Sequence, residues 1–554
     1  MQRPCAVWRY WTRSWPRVWN CGPPQSGSCE ARARAEVIPD AVVRVEALRE
    51  VNGSRLNRLR GDLAQSIEQR SRLLMTLLFM SVFAMAALAV VDYGFLPPDD
   101  ALRHAATATS EGTYADVLVF DPSIPVTDST PGWHRFLAGV HHQLGLDKFG
   151  LVSFSIFFLF MVVSCSGLFL FQRPEAWGMV VALSLALQSA SPTGRWLLGR
   201  PFLLVCAATA IFCLLWDRLR EDETRWHAAA ACMLVSAVTV WLHSTWFLLL
   251  AVPAVSVFSG DRRATMTLGG AILTGAVLGA ALTLDPVRHL SYPIVHTFQT
   301  MNAVPVHFRV SELQGGGGFV SWLLAFGLFI VARSSYPELQ KVPLSHPAFL
   351  LFAVAWVLSF KAVRFMTDLG FPALMAGLAL LTRDTLDSWL PRAGLRRWVV
   401  AGGLAAAALW STSANTGRRW ESNQLQSVVW FQENPEEASE WLPGPGGVLY
   451  SPEMATFFNL YFTYPDANWK YILGLEQAIM PKDDLRILHD IWDEGRLEAY
   501  APWVEKLRPE DRIFIRAVDI DIPAEWGEVE TFQVPRSFLI VRRSQPESSE
   551  SSRP

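Results

Sequence analysis

Two carboxylates, Asp99 and Asp100, follow a Pro97-Pro98 step directly after the first long apolar run, Leu73 to Val91, and Arg103 and His104 stand one helical turn further on. Acids placed where a chain leaves a bilayer are held partly out of water, and two adjacent acids resist ionising together. One of the pair is therefore expected to titrate upward, toward neutrality. Such a group suits general-base work: it takes the proton of a hydroxyl as that oxygen attacks a sugar carbon whose leaving group is a lipid phosphate. The competing reading is a helix cap. Proline tolerates a first turn, a carboxylate accepts its free amide hydrogens, and Asp99 to Arg103 makes an i to i+4 ion pair. The position at a membrane exit tips the balance toward chemistry.

A departing phosphate needs fixed positive charge, and the planar fork of arginine matches its oxygens. Cations on the same side of the membrane are Arg103, Arg195 and Arg200 in Arg195-Trp196-Leu197-Leu198-Gly199-Arg200-Pro201, Arg309, and Lys361 with Arg364. Some of these anchor span ends at headgroups. Because positive charge is depleted on that side, Arg200 and Arg364 are singled out for substrate. His134 in Thr130-Pro131-Gly132-Trp133-His134, and His243 in Trp241-Leu242-His243-Ser244-Thr245-Trp246, sit at further turns there. Each either hydrogen-bonds a phosphate or sugar, or serves as an interface residue beside tryptophan. Asp116, Asp121 and Asp128 could join Asp99 or Asp100 around a divalent cation, although their spacing matches no recognised metal loop.

The elements that must position these residues follow from hydropathy. The chain has 554 residues, 51% hydrophobic and 12% aromatic, too apolar for one soluble domain. Apolar runs at 73–91, 151–171, 177–189, 201–216, 228–241, 246–258, 265–284, 319–332, 348–360, 365–381 and 398–414 give 11 candidate spans, several shorter than the roughly 20 residues of a full crossing. With the N-terminus cytoplasmic, the short inner loops hold 12 Lys/Arg against 9 in the outer connections. The odd span count then puts the tail outside. Residues 1–72, with 13 Lys/Arg against 7 Asp/Glu, form a basic inner segment, partly disordered and of unassigned function before about residue 50. Residues 73–414 form the membrane domain, with long outer connections at 92–150 and 285–318. In the first of these, Trp133, Leu137, Val140 and Leu144 repeat at helical spacing over Pro131 to Leu144, which predicts a helix lying on the membrane surface. Residues 415–545, where 415–554 carry 14 Lys/Arg against 24 Asp/Glu, predict a small α/β domain. Its strands are expected at 447–450, 512–518 and 538–543 and its helix at 483–500, ahead of a disordered tail at 546–554. The fold class is thus a polytopic α-helical membrane protein with a small soluble α/β domain.

The seven cysteines avoid the tail domain, so disulfides do not hold it, and no CxxC pair or zinc spacing occurs. No basic patch or aromatic box suits nucleic acid. Span interiors nearly free of Asp, Glu and Lys, with no internal repeat, count against a transporter or flippase. A non-catalytic envelope-assembly subunit with an acidic docking domain is the third reading.

The acidic pair after a first span, the long first outer connection with its surface helix, and the outer C-terminal domain together resemble the GT-C superfamily of membrane glycosyltransferases. That superfamily includes protein O-mannosyltransferases, the aminoarabinose transferase of lipid A and oligosaccharyltransferase catalytic subunits. The tail has no Trp-Trp-Asp-Tyr-Gly run, which sets it apart from the oligosaccharyltransferase branch. The resemblance implies an integral protein of a bacterial inner membrane, a polyprenyl-phosphate-linked sugar as donor, membrane lipids as surroundings, and Asp99 or Asp100 as catalytic base.

Overall fold

A computed structural model describes residues 66–89, 100–124, 128–187, 195–303, 315, 327, 331, 333–336, 340–389, 395–420, 430–431, 433–516, 522–534 and 538–544. The basic segment before residue 66, Asp99 itself, Arg309 and the expected span at 319–332, apart from single positions, lie outside the described residues.

The membrane domain is a helical bundle. Its described helices are α1 (Ser66–Ala89), α2 (Asp100–Thr109), α3 (Tyr114–Val117), α4 (Pro131–Leu144), α5 (Lys148–Cys165), α6 (Pro174–Leu187), α7 (Leu203–Arg220), α8 (Arg225–Leu242), α9 (Arg262–Ala281), α10 (Pro286–Ala303), α11 (Pro347–Ser359), α12 (Phe371–Trp389) and α13 (Leu395–Trp420). Among the described residues, five helices are long and apolar enough to cross a membrane: 66–89, 148–165, 225–242, 262–281 and 363–388. Trp246–Ser259 and Pro347–Ser359 are shorter apolar helices. Local chemistry sets several boundaries. Asp147 caps α5 by accepting from Gly150 N at 2.8 Å, and Asp261 caps α9 by accepting from Ala264 N at 3.0 Å. The tightest packing is between α8 and α9. A Cβ at Gly275 would stand 2.3 Å from Met233 O and one at Gly279 2.2 Å from Ala237 O, so this Gly-x-x-x-Gly face lets two backbones touch.

The arginine-rich connections meet at one end. Arg72 donates to Gln172 and the Phe169 carbonyl, Arg218 to the Leu170 carbonyl, and Arg397 to Ser71 and, at 2.7 Å, to Glu175. Arg220 pairs with Asp261 and Arg263 with Asp222. The residues singled out for chemistry converge elsewhere, as described below.

The connection after α1 is built, not slack. In α4 the Trp133, Leu137 and Val140 stripe is buried, each side chain worth roughly 1.5–3 kcal/mol on leaving water, while Leu144 at its end is exposed. Through that stripe α4 packs against α2, α5 and α8. The second long connection also differs from a loop: it opens with α10, which carries Pro293 inside it.

The tail forms a five-stranded sheet, order β2-β1-β3-β5-β4, from β1 (Val448–Tyr450), β2 (Lys470–Tyr471), β3 (Arg512–Ile515), β4 (Val529–Gln533) and β5 (Leu539–Arg543). β1 is parallel to β2 and β3, and β5 is antiparallel to β3 and β4. The helix expected at 483–500 spans Lys482–Glu494 and stops where Gly495 takes a left-handed φ of 61°, a C-cap ending that a hydropathy pattern does not show. The first outer connection docks on this domain. Leu118 bridges Tyr471 in β2, Val119 N donates to Tyr471 O at 2.9 Å, and the sheet edge is thereby covered. Helix α14 (Met454–Thr463) lies against α2, with the Tyr461 hydroxyl 3.4 Å from Thr107 Oγ1 and 3.3 Å from Ser110 Oγ.

Candidate functional site

Helix α2 begins at Asp100 and is alanine-rich, with Ala101, Ala105 and Ala106 fully buried, so neighbouring helices approach closely and its two large polar residues are carried inside. Arg103 is 8% exposed. Its Nε donates to Asp100 Oδ1 at 2.8 Å and its Nη1 to the Tyr114 hydroxyl at 2.8 Å. The ion pair described in this turn is Asp100 with Arg103, three residues apart. Arg200 Nε stands 3.7 Å from Asp100 Oδ2.

The turn carrying Arg200 depends on Gly199, whose φ of +66° is left-handed. A Cβ there would meet Ile156 Cγ1 at 3.1 Å and Ala101 Cβ at 3.2 Å, so the glycine also lets the turn press against α2 and α5. Upstream in the same turn, Arg195 Nη2 lies 3.3 Å from Asp368 Oδ1. Asp368 sits in a π-helical turn, Met366–Gly370, between Val363–Phe365 and α12. It is 1% exposed and accepts from Arg364 Nε at 2.7 Å and from Thr367 Oγ1 at 2.9 Å. The wider turn puts an acid where a regular helix would not, a common use of π-bulges. The Arg195 and Arg364 guanidiniums both approach the Phe202 ring, at 4.5 and 5.9 Å from its centroid. Four arginines, 103, 195, 200 and 364, thus gather on two carboxylates, Asp100 and Asp368.

This charge balance shows that Asp100 is not the acid of the pair that titrates upward. Burial pushes its carboxyl up, but the guanidiniums of Arg103, Arg200 and Arg364 outweigh burial and hold it well below the usual carboxylate range. Asp100 is ionised and firmly so. The upward shift was argued from a second acid next door, and at Asp100 the opposing cations are closer and more numerous.

Beside the arginines lies a chain of three groups, two buried histidines and the partly exposed Asp128. Asp128 Oδ2 is 2.7 Å from His134 Nδ1, and His134 Nε2 is 2.8 Å from His104 Nδ1. Asp128 Oδ1 also accepts from Thr130 N at 2.8 Å, the residue that precedes α4. Burial, then the charge of Arg103 and of the neighbouring imidazoles His134 and His243, then Arg200, push the His104 ring well below its ordinary value. His243, at the end of α8, accepts at Nδ1 from the Thr245 hydroxyl at 2.8 Å and is pulled down to about 3 by burial first and then by Arg364.

The structure therefore assembles Asp100, Arg103, Arg200 and Arg364 and joins His104 to His134, with His243 within electrostatic reach of both groups. His134, read as either a ligand of phosphate or sugar or an interface residue, is instead bonded to Asp128 and His104. The aspartates considered for a cation are drawn apart. Asp116 accepts from Thr113, Asp121 from Ser123, and Asp128 holds His134. Among the described residues no group of three or more His, Cys, Asp and Glu is arranged to hold a metal ion. Asp368 and Tyr114 were not anticipated. The signal for Asp368 is present in the sequence: a single acid inside the apolar run 365–381, four residues from Arg364.

The fold is similar to that of solved membrane transferases. The chain superposes on the crystal structure of ArnT from Cupriavidus metallidurans in the apo state with a TM-score of 0.50 at 12% sequence identity, covering 84% of this chain and 97% of that one. The oligosaccharyltransferase of Archaeoglobus fulgidus, tethered to an acceptor peptide, aligns at a TM-score of 0.45 and 13% identity over 79% of this chain and 69% of its own. The sequence matches no protein-family model and no curated protein.

Proposed function

We propose that the protein is a GT-C-type glycosyltransferase that moves a sugar from a polyprenyl-phosphate donor to an acceptor hydroxyl on the non-cytoplasmic face of a bacterial inner membrane, with its N-terminus cytoplasmic and its C-terminal domain outside. The observation that carries this reading is the gathering of four guanidiniums, Arg103, Arg195, Arg200 and Arg364, around Asp100 and Asp368. Such a site is suited to a phosphate dianion, the group that leaves when a lipid-linked sugar is transferred. The acceptor oxygen forms its bond to the anomeric carbon from the face opposite the phosphate, the carbon–oxygen bond to phosphate breaks with its electron pair, and the arginines take up the charge that develops. Asp100 acts as the counter-charge that orders Arg103 and Arg200, and the acceptor's proton passes to a base in the same outer connection. The GT-C architecture supports this reading at the level of fold.

Lipid analysis of a deletion strain tests it. The expected result is an accumulated polyprenyl-phosphate sugar together with an under-glycosylated envelope product, both reversed by the wild-type gene but not by Arg200→Gln or Arg364→Gln protein inserted at wild-type levels. A deletion strain whose polyprenyl lipids and envelope glycans match the parent's would overturn it.

A further inference from the structure

We propose that Asp128, His134 and His104 form a proton relay whose open end, Nε2 of His104, is the base that accepts the acceptor's proton; this rests on the glycosyl-transfer reading. The geometry dictates the direction of the chain. Asp128 is a carboxylate, an acceptor only, so His134 Nδ1 at 2.7 Å carries the hydrogen between them. With His134 neutral, its Nε2 is a lone pair, and His104 Nδ1 at 2.8 Å donates to it. That leaves Nε2 of His104 bare, in a side chain 1% exposed and with no partner among the described residues. One carboxylate thus fixes the tautomers of two rings in series and aims basicity at the far end.

The groups facing His104 complete the argument. Arg103 and Asp100 come from its own helix, Tyr114 from α3, and His134 with Asp128 from α4 and the residues before it. Arg200 comes from the turn before α7 and His243 from the turn after α8. The cations keep the imidazole neutral while the site is empty of anion. A donor phosphate bound to Arg103 and Arg200 offsets their charge, so the base strengthens when the donor is in place. In the transfer step the acceptor hydroxyl proton goes to His104 Nε2 as its oxygen bonds to the anomeric carbon. The Nδ1 proton of His104 passes to His134 Nε2, leaving His134 an imidazolium whose charge the Asp128 carboxylate offsets until water removes the proton. His104 is the catalytic residue of this chain, and His134 and Asp128 are positioning residues.

Full-length protein labelled with ¹⁵N-histidine, in nanodiscs of phosphatidylethanolamine and phosphatidylglycerol, gives a direct readout of which ring nitrogens carry protons. His104→Gln and His134→Gln assign the signals. Near neutral pH His104 is expected as the Nδ1–H tautomer with a bare Nε2, and Asp128→Asn is expected to shift it toward the commoner Nε2–H form. An Nε2–H tautomer in the wild type, or a tautomer indifferent to Asp128→Asn, would overturn the relay. Undecaprenyl phosphate is then added. An upward move of the His104 titration midpoint supports its role as base, and binding without any such move refutes it. Absence of binding sinks the glycosyl-transfer reading instead, while the tautomer result still reports on the relay.

Discussion

Arg200→Gln is the most informative single substitution. The side chain is 20% exposed and stands 3.7 Å from Asp100, at the edge of the cluster where an incoming anion meets it without displacing the tighter Arg103 contacts. A hydrogen bond to a charged group contributes about 1.5–3 kcal/mol. Partial exposure places Arg200 low in that range, at about 2 kcal/mol, or roughly 30-fold in Kd. The cost to folding is smaller, under about 1 kcal/mol, because Asp100 keeps its 2.8 Å bond from Arg103 and the lost pair is partly solvated. Binding of undecaprenyl phosphate to full-length protein in nanodiscs, followed by native mass spectrometry, measures the difference, with undecaprenol as the uncharged control. Asp100→Asn supplies the opposite perturbation: it removes a competing carboxylate, raises the local charge by one, and should leave phosphate binding intact. Equal affinity of wild type and Arg200→Gln for the phosphate, or equal affinity of the wild type for phosphate and alcohol, would refute the assignment of this cluster to the leaving group.

Three further outcomes follow from the same geometry. Gly199→Ala forces a left-handed φ on a residue with a Cβ, at a cost of about 1–2 kcal/mol, and crowds Ile156 and Ala101; both the thermal midpoint and phosphate affinity should fall, and unchanged values would show that the turn adjusts freely. Asp368→Asn leaves Arg195 and Arg364 without their common carboxylate. Removing one partner of a buried pair costs roughly 3–5 kcal/mol, and the one-third exposure of Arg364 puts the expected loss near the bottom of that range in a denaturation series. His104 and His243 are neutral in the fold, whereas the unfolded chain protonates its histidines below about 6.5, so the unfolded state binds more protons there and stability rises with pH. His104 alone should weaken the protein by about 1.4 kcal/mol per pH unit on acidification below 6.5, a slope blunted in His104→Gln. Asp100 and Asp128, held low, lose their contribution only as pH falls below about 3.8, so a midpoint flat between pH 7 and 5 would contradict the histidine account.

Much of this arrangement is legible in the sequence because it is local. Hydropathy marks the helices, and the periodicity over Pro131 to Leu144 marks α4 to the residue. The step from apolar run to Pro97-Pro98-Asp99-Asp100 marks the start of α2 at Asp100. Strands β1, β3 and β5 are read from their apolar runs, whereas the two-residue β2 and the half-exposed β4 carry too weak a pattern. Asp368 escaped because an acid in an apolar run looks like a boundary of that run, and the π-turn that turns it inward is a property of packing against its neighbours.

The sequence by itself determines that acid and arginine stand at the ends of apolar runs, because composition and charge bias are sums over short stretches of chain. Tertiary structure alone decides which of them pair. His104 and His134 are thirty positions apart, and only the packing of α2 on α4 brings their nitrogens to 2.8 Å. The direction in which Asp100 titrates was likewise undecidable from its neighbours in sequence. It depends on the field of every nearby charge, and Arg200 and Arg364 enter that field only when distant helices close around α2.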